Sequence, residues 1–411
     1  MGCTCIWCGL DVSATPVVPV APDTPNAPDA PTHAANLLVP ATIPSRSQTA
    51  RQPALDAIKA VACLTIVCHH LALYGPMSDV VQPHAPQLIG WLYDYGRMAV
   101  QLFLVLAGFL AAAGLAPGSP LHNPGGSAAA FAQPGRLLIK RCQRLVLPYL
   151  VALAFSVVVA TLLRPWFAHD SLPGAAGWAQ LLAHALLLQD VLGIEALSAG
   201  VWYVAIDLQL FALALLLLHT GRRSRRLTLA LVAVVAAASL LLFNRHSALD
   251  ASALYFFGSY ALGLLAYWVV HAVQTGQRQA AGLTLLLMAG LIAAAMLVEF
   301  RLRIALAGMT ALCLVVLALR PPSASSVRWL QRVGLLKIGE MSYSIFLIHF
   351  PVVLLVNALV SRLWPVEPLA NALGMLAALA LSVLAGAVLW RLVESPRAFW
   401  RRRQEARAAA A

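Results

Sequence analysis

From Ala54 onward the chain alternates long apolar runs with short polar or basic joints. A bilayer's hydrocarbon core is roughly 30 Å thick and is crossed by about 20 residues of helix, each rising about 1.5 Å. On that measure the pattern predicts ten spans, over 54–75, 96–116, 145–165, 200–219, 227–243, 252–273, 280–298, 302–320, 340–361 and 370–392. A further stretch, 177–193, is shorter and carries His184, Gln189 and Asp190, so it is expected to lie in the interface or re-enter without crossing. The expected fold class is all-α, a polytopic membrane protein.

Composition agrees with a lipid solvent, since 61% of the 411 residues are apolar and 11% are charged. The net charge of +12 would suggest nucleic acid in a soluble protein. Here the basic residues punctuate apolar runs and form no single face, so no nucleic-acid partner is expected. Lys and Arg accumulate in cytoplasmic loops, which gives the chain a direction. With the N-terminus inside, only Arg97, Arg164, Arg245, Arg301, Arg303 and Arg362 fall outside. The clusters around Arg141, Arg223, Arg328 and Arg402 then lie inside, as do both termini, whereas counting 177–193 as a span would scatter them.

Residues 1–50 are rich in Pro, Ala and Thr and read as a disordered cytoplasmic tail without the plan of a signal peptide. A membrane domain is expected over 51–397, followed by a basic cytoplasmic tail over 398–411. Cys3, Cys5 and Cys8 are close together, but no His or second Cys pair follows at metal spacing. Neither a metal site nor a disulfide framework is expected.

An ionisable side chain at the bilayer centre costs about 2.5–3.5 kcal/mol on insertion scales, so each one asks for a partner or a task. In the first predicted span Asp56 and Lys59 share a face near the cytoplasmic edge, and His70 projects on the same side roughly 16 Å further along. A neutral imidazole can accept a proton from an alcohol, as acyl transfer requires, although His69 and His70 would serve equally as hydrogen-bond partners between helices. Arg97 and Gln101 share a face of the second span, and Gly108 permits close helix approach. In the fourth, Trp202 and Tyr203 suit an interfacial aromatic belt, while Asp207 needs a partner such as Arg97 or a histidine. The ninth places His349 in an apolar helix, fit for a catalytic, substrate-positioning or structural role.

Together these segments resemble the acyltransferase-three family of bacterial inner-membrane proteins, which includes O-antigen and nodulation-factor acetyltransferases. Leu55-Asp56-Ala57-Ile58-Lys59 resembles the family's Leu-Asp-Gly-Leu-Arg opening, and its basic-then-histidine spacing selects His70 over His69. Leu102 to Leu110 resembles its apolar helix ending in Ser-Gly-Phe, and Arg141, Arg144 and Pro148 its basic entry to the third span. Ser342-Tyr343-Ser344 through His349 and Pro351, then Glu394-Ser395-Pro396, are similar to its closing motifs. Lys59 stands for the usual Arg, Ala107 for Ser, and Asp207 for Glu.

The resemblance implies transfer of a short acyl group, commonly acetyl from acetyl-coenzyme A, to a hydroxyl of a carbohydrate or lipid-linked glycan outside the bacterial inner membrane. Acyl-CoA would be a donor substrate, with no permanently bound cofactor. On this reading Lys59, Arg141 and Arg144 attract the coenzyme A phosphates, and His70 acts as base or carries the acyl group. Asp207 and Arg97 hold the imidazole or acceptor, and Trp202, Tyr203 and His349 contact substrate. A homo-oligomer is compatible with the sequence. The strongest rival is a transporter with buried Asp, His and Arg along a substrate or proton path, although no repeat relates the two halves.

Overall fold

The computed structural model describes residues 52–115 and 134–395. The expected tails, 1–50 and 398–411, lie outside the described residues. Fourteen α-helices occur among those described and no strand does. In lipid, a helix satisfies its backbone polar groups within one segment.

The chain runs α1 (Pro53–Leu73), α2 (Pro76–Val81), α3 (Pro86–Tyr95), α4 (Val100–Leu115), α5 (Pro134–Leu163), α6 (Trp178–Ala185) and α7 (Val201–Gly221). There follow α8 (Arg225–Leu241), α9 (Ala253–Gln274), α10 (Arg278–Val298), α11 (Leu302–Leu319), α12 (Ala324–Arg332), α13 (Leu335–Leu363) and α14 (Pro368–Leu389). Ten helical segments among the described residues are long and apolar enough to cross a membrane, and they coincide with the ten expected spans. Two boundaries differ by ten residues or more: the second segment begins at Pro86, through α3 and the turn before α4, ahead of the expected 96, and α5 begins at Pro134, ahead of the expected 145, because the helix continues through the basic segment instead of starting where the apolar run does. Within 177–193 only Trp178–Ala185 is helical, and its 8 residues are too short to cross.

Most residues of α9 and α13 are buried, and those of α8, α10 and α14 mostly face outward through Leu, Val and Ala. Such an apolar perimeter suits lipid. The centre is drawn tight where α4 crosses α9. A Cβ on Gly108 would lie 1.9 Å from the Tyr260 carbonyl oxygen, and one on Gly263 would lie 2.0 Å from that of Val105. Small residues facing each other let two membrane helices approach to backbone contact.

α1 and α13 lie side by side in register. Cys63 Sγ donates to the Ser342 carbonyl and His70 meets His349, each pair 279 residues apart, and beyond the end of α1 the Met77 N–H of α2 donates to Asn357 Oδ1. The constant offset along α1 means that it runs parallel to α13, and the seven-residue step from Cys63 to His70 follows the seam of left-handed helix packing. Parallel pairing of the first and ninth spans requires an odd number of crossings between them. The seven intervening spans satisfy this, and a crossing by 177–193 would not.

Candidate active site

On the inward stripe of α1 the side chains of Lys59, Cys63, Ile66 and His70 follow one another at three- and four-residue spacing. His70 Nδ1 lies 2.6 Å from His349 Nε2, and His349 Nδ1 lies 2.7 Å from the Phe346 carbonyl oxygen. The two rings are 4.8 Å apart and only 4° from parallel. That separation matches the N···N distance extended by the two ring radii, so the imidazoles sit edge to edge in a common plane and are not stacked face to face. A carbonyl only accepts, so His349 Nδ1 carries the proton and its Nε2 offers a lone pair. His70 Nδ1 must then be the donor, which leaves His70 Nε2 as the basic nitrogen. His69 is engaged elsewhere, with Nδ1 2.8 Å from the Leu92 carbonyl oxygen of α3.

His70 borders a cavity of about 340 Å³, whose lining also includes His69, Arg97, Gln101, Trp202, Arg303 and Phe346. Arg97 stands exposed on the 3₁₀ turn that joins α3 to α4. Gln101 lies one turn further along and accepts from Ser259 Oγ at 2.7 Å. Trp202 enters from the first turn of α7 and rests against Phe256, with ring centroids 5.6 Å apart. The turn into α7 needs Gly200, whose φ is +80° and whose absent Cβ makes room for the Phe346 ring.

Asp207 finds its partner on α5 and not, as expected, in Arg97 or a histidine. Arg141 Nη2 donates to Oδ2 at 2.7 Å and Oδ1 at 2.9 Å, and Nε donates to Oδ2 at 3.2 Å. The early start of α5 explains this, since Arg141 belongs to a helix turn that the apolar pattern left out. The Arg141 guanidinium also sits 5.2 Å from the Phe211 ring centroid. Tyr203, Tyr260 and Tyr343 all lie within electrostatic range of the pair. The Tyr260 hydroxyl is buried without a hydrogen-bond partner among the described residues.

Aromatic contacts link this pair to the imidazoles. Tyr203 touches Phe346 at 5.4 Å between centroids, and Phe346 touches His349 at 6.1 Å. Of the residues expected at coenzyme A, Arg141 has its guanidinium fork engaged by Asp207, while Arg144 is exposed. Lys59 pairs with Asp56 at 3.0 Å. Lys59 and Arg144 both lie within electrostatic range of Glu394, which accepts from Ser344 Oγ at 2.6 Å. Between Lys59 and His70 the stripe of α1 is filled by the buried Cys63 and Ile66. The structure thus gathers His70, His349, Arg97 and Trp202 at one cavity, Arg141, Asp207 and Tyr203 beside it, and Lys59 and Arg144 toward the far end of α1.

Two contributors escaped sequence reasoning. Phe346 divides the cavity from the tyrosines, and nothing in an apolar helix distinguishes it from core. Arg303 stands at the cavity wall, and its signal was present: with Arg301 it forms a basic pair in one of the few basic joints expected outside.

Residues 52–391 match the model of the acyltransferase-three family, described as an acyltransferase domain. No curated protein and no solved structure matches the chain. The family match covers nearly all the described helices and decides between acyl transfer and transport. This chain belongs to the acyltransferase-three family and is a multi-pass membrane acyltransferase.

Proposed function

We propose that the protein moves a short acyl group, acetyl in the simplest case, from acyl-coenzyme A to a hydroxyl of a carbohydrate or lipid-linked glycan in the bacterial inner membrane. The observation that carries this reading is the directed chain from His70 Nδ1 to His349 Nε2 and from His349 Nδ1 to the Phe346 carbonyl. It supports His70 Nε2 as the general base and gives His349 the part of a positioning residue, which fixes the tautomer and stabilises the imidazolium when it forms.

In this mechanism His70 Nε2 takes the proton from the acceptor hydroxyl as its oxygen attacks the thioester carbonyl. The tetrahedral adduct collapses, the carbon–sulfur bond breaks, and the proton on His70 passes to the coenzyme A thiolate. The ester and free thiol leave, and His70 is restored. The cavity is the acceptor's side, and the end of α1 bearing Lys59 is the donor's side, facing the cytoplasm by the distribution of basic residues. Lys59 and Arg144 attract the donor phosphates, while Arg141 and Asp207 hold α5 against α7 beneath the acceptor. Acyl-CoA is a passing substrate here, not a resident cofactor. Because Cys63 and Ile66 fill the stripe between Lys59 and His70, the pantetheine arm must displace side chains at the seam of α1 and α13 to reach the base.

Protein purified in nanodiscs and given radiolabelled acetyl-coenzyme A with a panel of glycans tests the proposal. Label is expected to move to a glycan with the wild-type protein, and His70→Ala is expected to lower the rate by about 10²–10⁴-fold. Undiminished transfer by that variant would remove His70 as the base.

A further inference from the structure

The cavity beside His70 carries positive charge that nothing in its wall answers. Arg97 and Arg303 both line it, and no carboxylate does. Arg97 has no hydrogen bond or ion pair among the described residues. Arg303 is aimed by neutral groups: it donates to the Tyr255 hydroxyl and to the Asn244 carbonyl oxygen, and its guanidinium lies 5.0 Å from the centroid of the Tyr255 ring. These contacts orient Arg303 without neutralising it. The acid nearest in sequence, Glu299, is already paired with Arg245 at 3.0 Å.

Arg97 is exposed and Arg303 half-buried, and two like charges lining one cleft focus a positive potential that draws an anion toward it. A guanidinium fork matches the planar, two-oxygen face of a carboxylate or phosphate. Trp202, on the same wall, offers an apolar ring face of the kind on which a sugar's C–H groups rest.

We propose that the acceptor acylated at His70 bears an anionic group, a phosphate or carboxylate, that sits between Arg97 and Arg303 while its sugar ring lies against Trp202. This deepens the acyltransferase reading above and rests on it, for that reading names a glycan hydroxyl and leaves its charge open. A bilayer headgroup phosphate has the same chemistry as the acceptor's anion, so the test must separate the two sources.

Arginine labelling by phenylglyoxal, read residue by residue by mass spectrometry, reports occupancy without need of turnover. In dodecyl maltoside, which carries no phosphate, glucose 1-phosphate is expected to slow labelling of Arg97 and Arg303 severalfold. Methyl glucoside should leave it unchanged, and the exposed Arg226 should label equally throughout. Equal protection by both sugars, or by neither, overturns the proposal. Protection of the same two arginines in phosphatidylglycerol nanodiscs without any sugar phosphate assigns them to lipid headgroups and also overturns it.

The kinetic counterpart compares acetyl transfer to a glucuronate-terminated and a glucose-terminated oligosaccharide. Arg303→Gln is expected to lower kcat/KM for the acidic acceptor about tenfold, through KM, with much less effect on the neutral one, and Arg303→Lys should recover part of the loss. A purely structural Arg303 would lower both acceptors alike. Equal use of the two acceptors by the wild-type protein removes the anionic site and leaves acyl transfer standing. Protection by glucose 1-phosphate without transfer to any acceptor supports the anion site and counts against the reaction.

Discussion

Arg141 grips both carboxylate oxygens of Asp207 across the interface of α5 and α7, although the two residues are 66 positions apart and α6 lies between them. The carboxylate is almost wholly buried and the guanidinium largely so. A pair of this kind is expensive to break from one side, because the remaining charge stays buried without a partner.

Asp207→Asn and Arg141→Gln should each lower stability by about 3–5 kcal/mol, while Arg141→Met combined with Asp207→Leu should cost less than either single change. Thermal unfolding in detergent, followed by loss of the monodisperse peak on size exclusion, ranks the three. A double variant weaker than both singles would show that the pair matters for more than mutual neutralisation.

His349→Gln and His349→Phe should separate two contributions of the second imidazole. The amide oxygen of Gln can still accept from His70 Nδ1, so this variant should keep much of the rate. Phe removes the acceptor and should reduce kcat by about 10²-fold or more, toward the loss expected for His70→Ala. Single-turnover acetyl transfer is the measurement, with acyl-CoA binding expected to change little in either variant.

Gly108→Ala and Gly263→Ala each push a methyl group into a facing backbone carbonyl, at 1.9 and 2.0 Å. Backbone cannot rotate aside as a side chain can, so α4 and α9 must separate. A loss of about 1–3 kcal/mol or more is expected, appearing as a lowered melting temperature and reduced yield of folded protein. Gly174→Ala, with open space at its Cβ, should be indistinguishable from wild type in the same assay.

The topology can be read with single cysteines in a cysteine-free background. Ser171→Cys and Glu195→Cys flank α6 and should react with a membrane-impermeant maleimide from the same side, while Ser224→Cys, beyond α7, should react from the other. Labelling of Ser171→Cys and Glu195→Cys from opposite sides would make α6 part of a crossing.

The ten spans were legible because each is an apolar run of bilayer length, and the shortness and polarity of 177–193 set it apart. His70, His349, Arg97 and Asp207 stood out for a related reason: ionisable groups in hydrocarbon are costly enough to be conspicuous in any list of residues. What the sequence did not carry was pairing. Arg141 lay outside the apolar run, so no periodicity tied it to Asp207, and 279 residues separate His70 from His349. Phe346 and Tyr260 look like ordinary core residues until neighbouring helices surround them. The filling of the Lys59 to His70 stripe by Cys63 and Ile66 was likewise hidden, because a shared helix face fixes direction and says nothing about what packs against it.

The seam between α1 and α13 also has a bearing on how the molecule comes into being. One imidazole leaves the ribosome among the earliest membrane-inserted residues and must wait, without its counterpart, until eight further segments have been threaded into the bilayer. No amino-terminal fragment ending before α13 can assemble the coupled rings, so the pair forms only late in synthesis. Two separately expressed pieces, divided in the joint between α11 and α12, would have to find each other before the two imidazoles could meet.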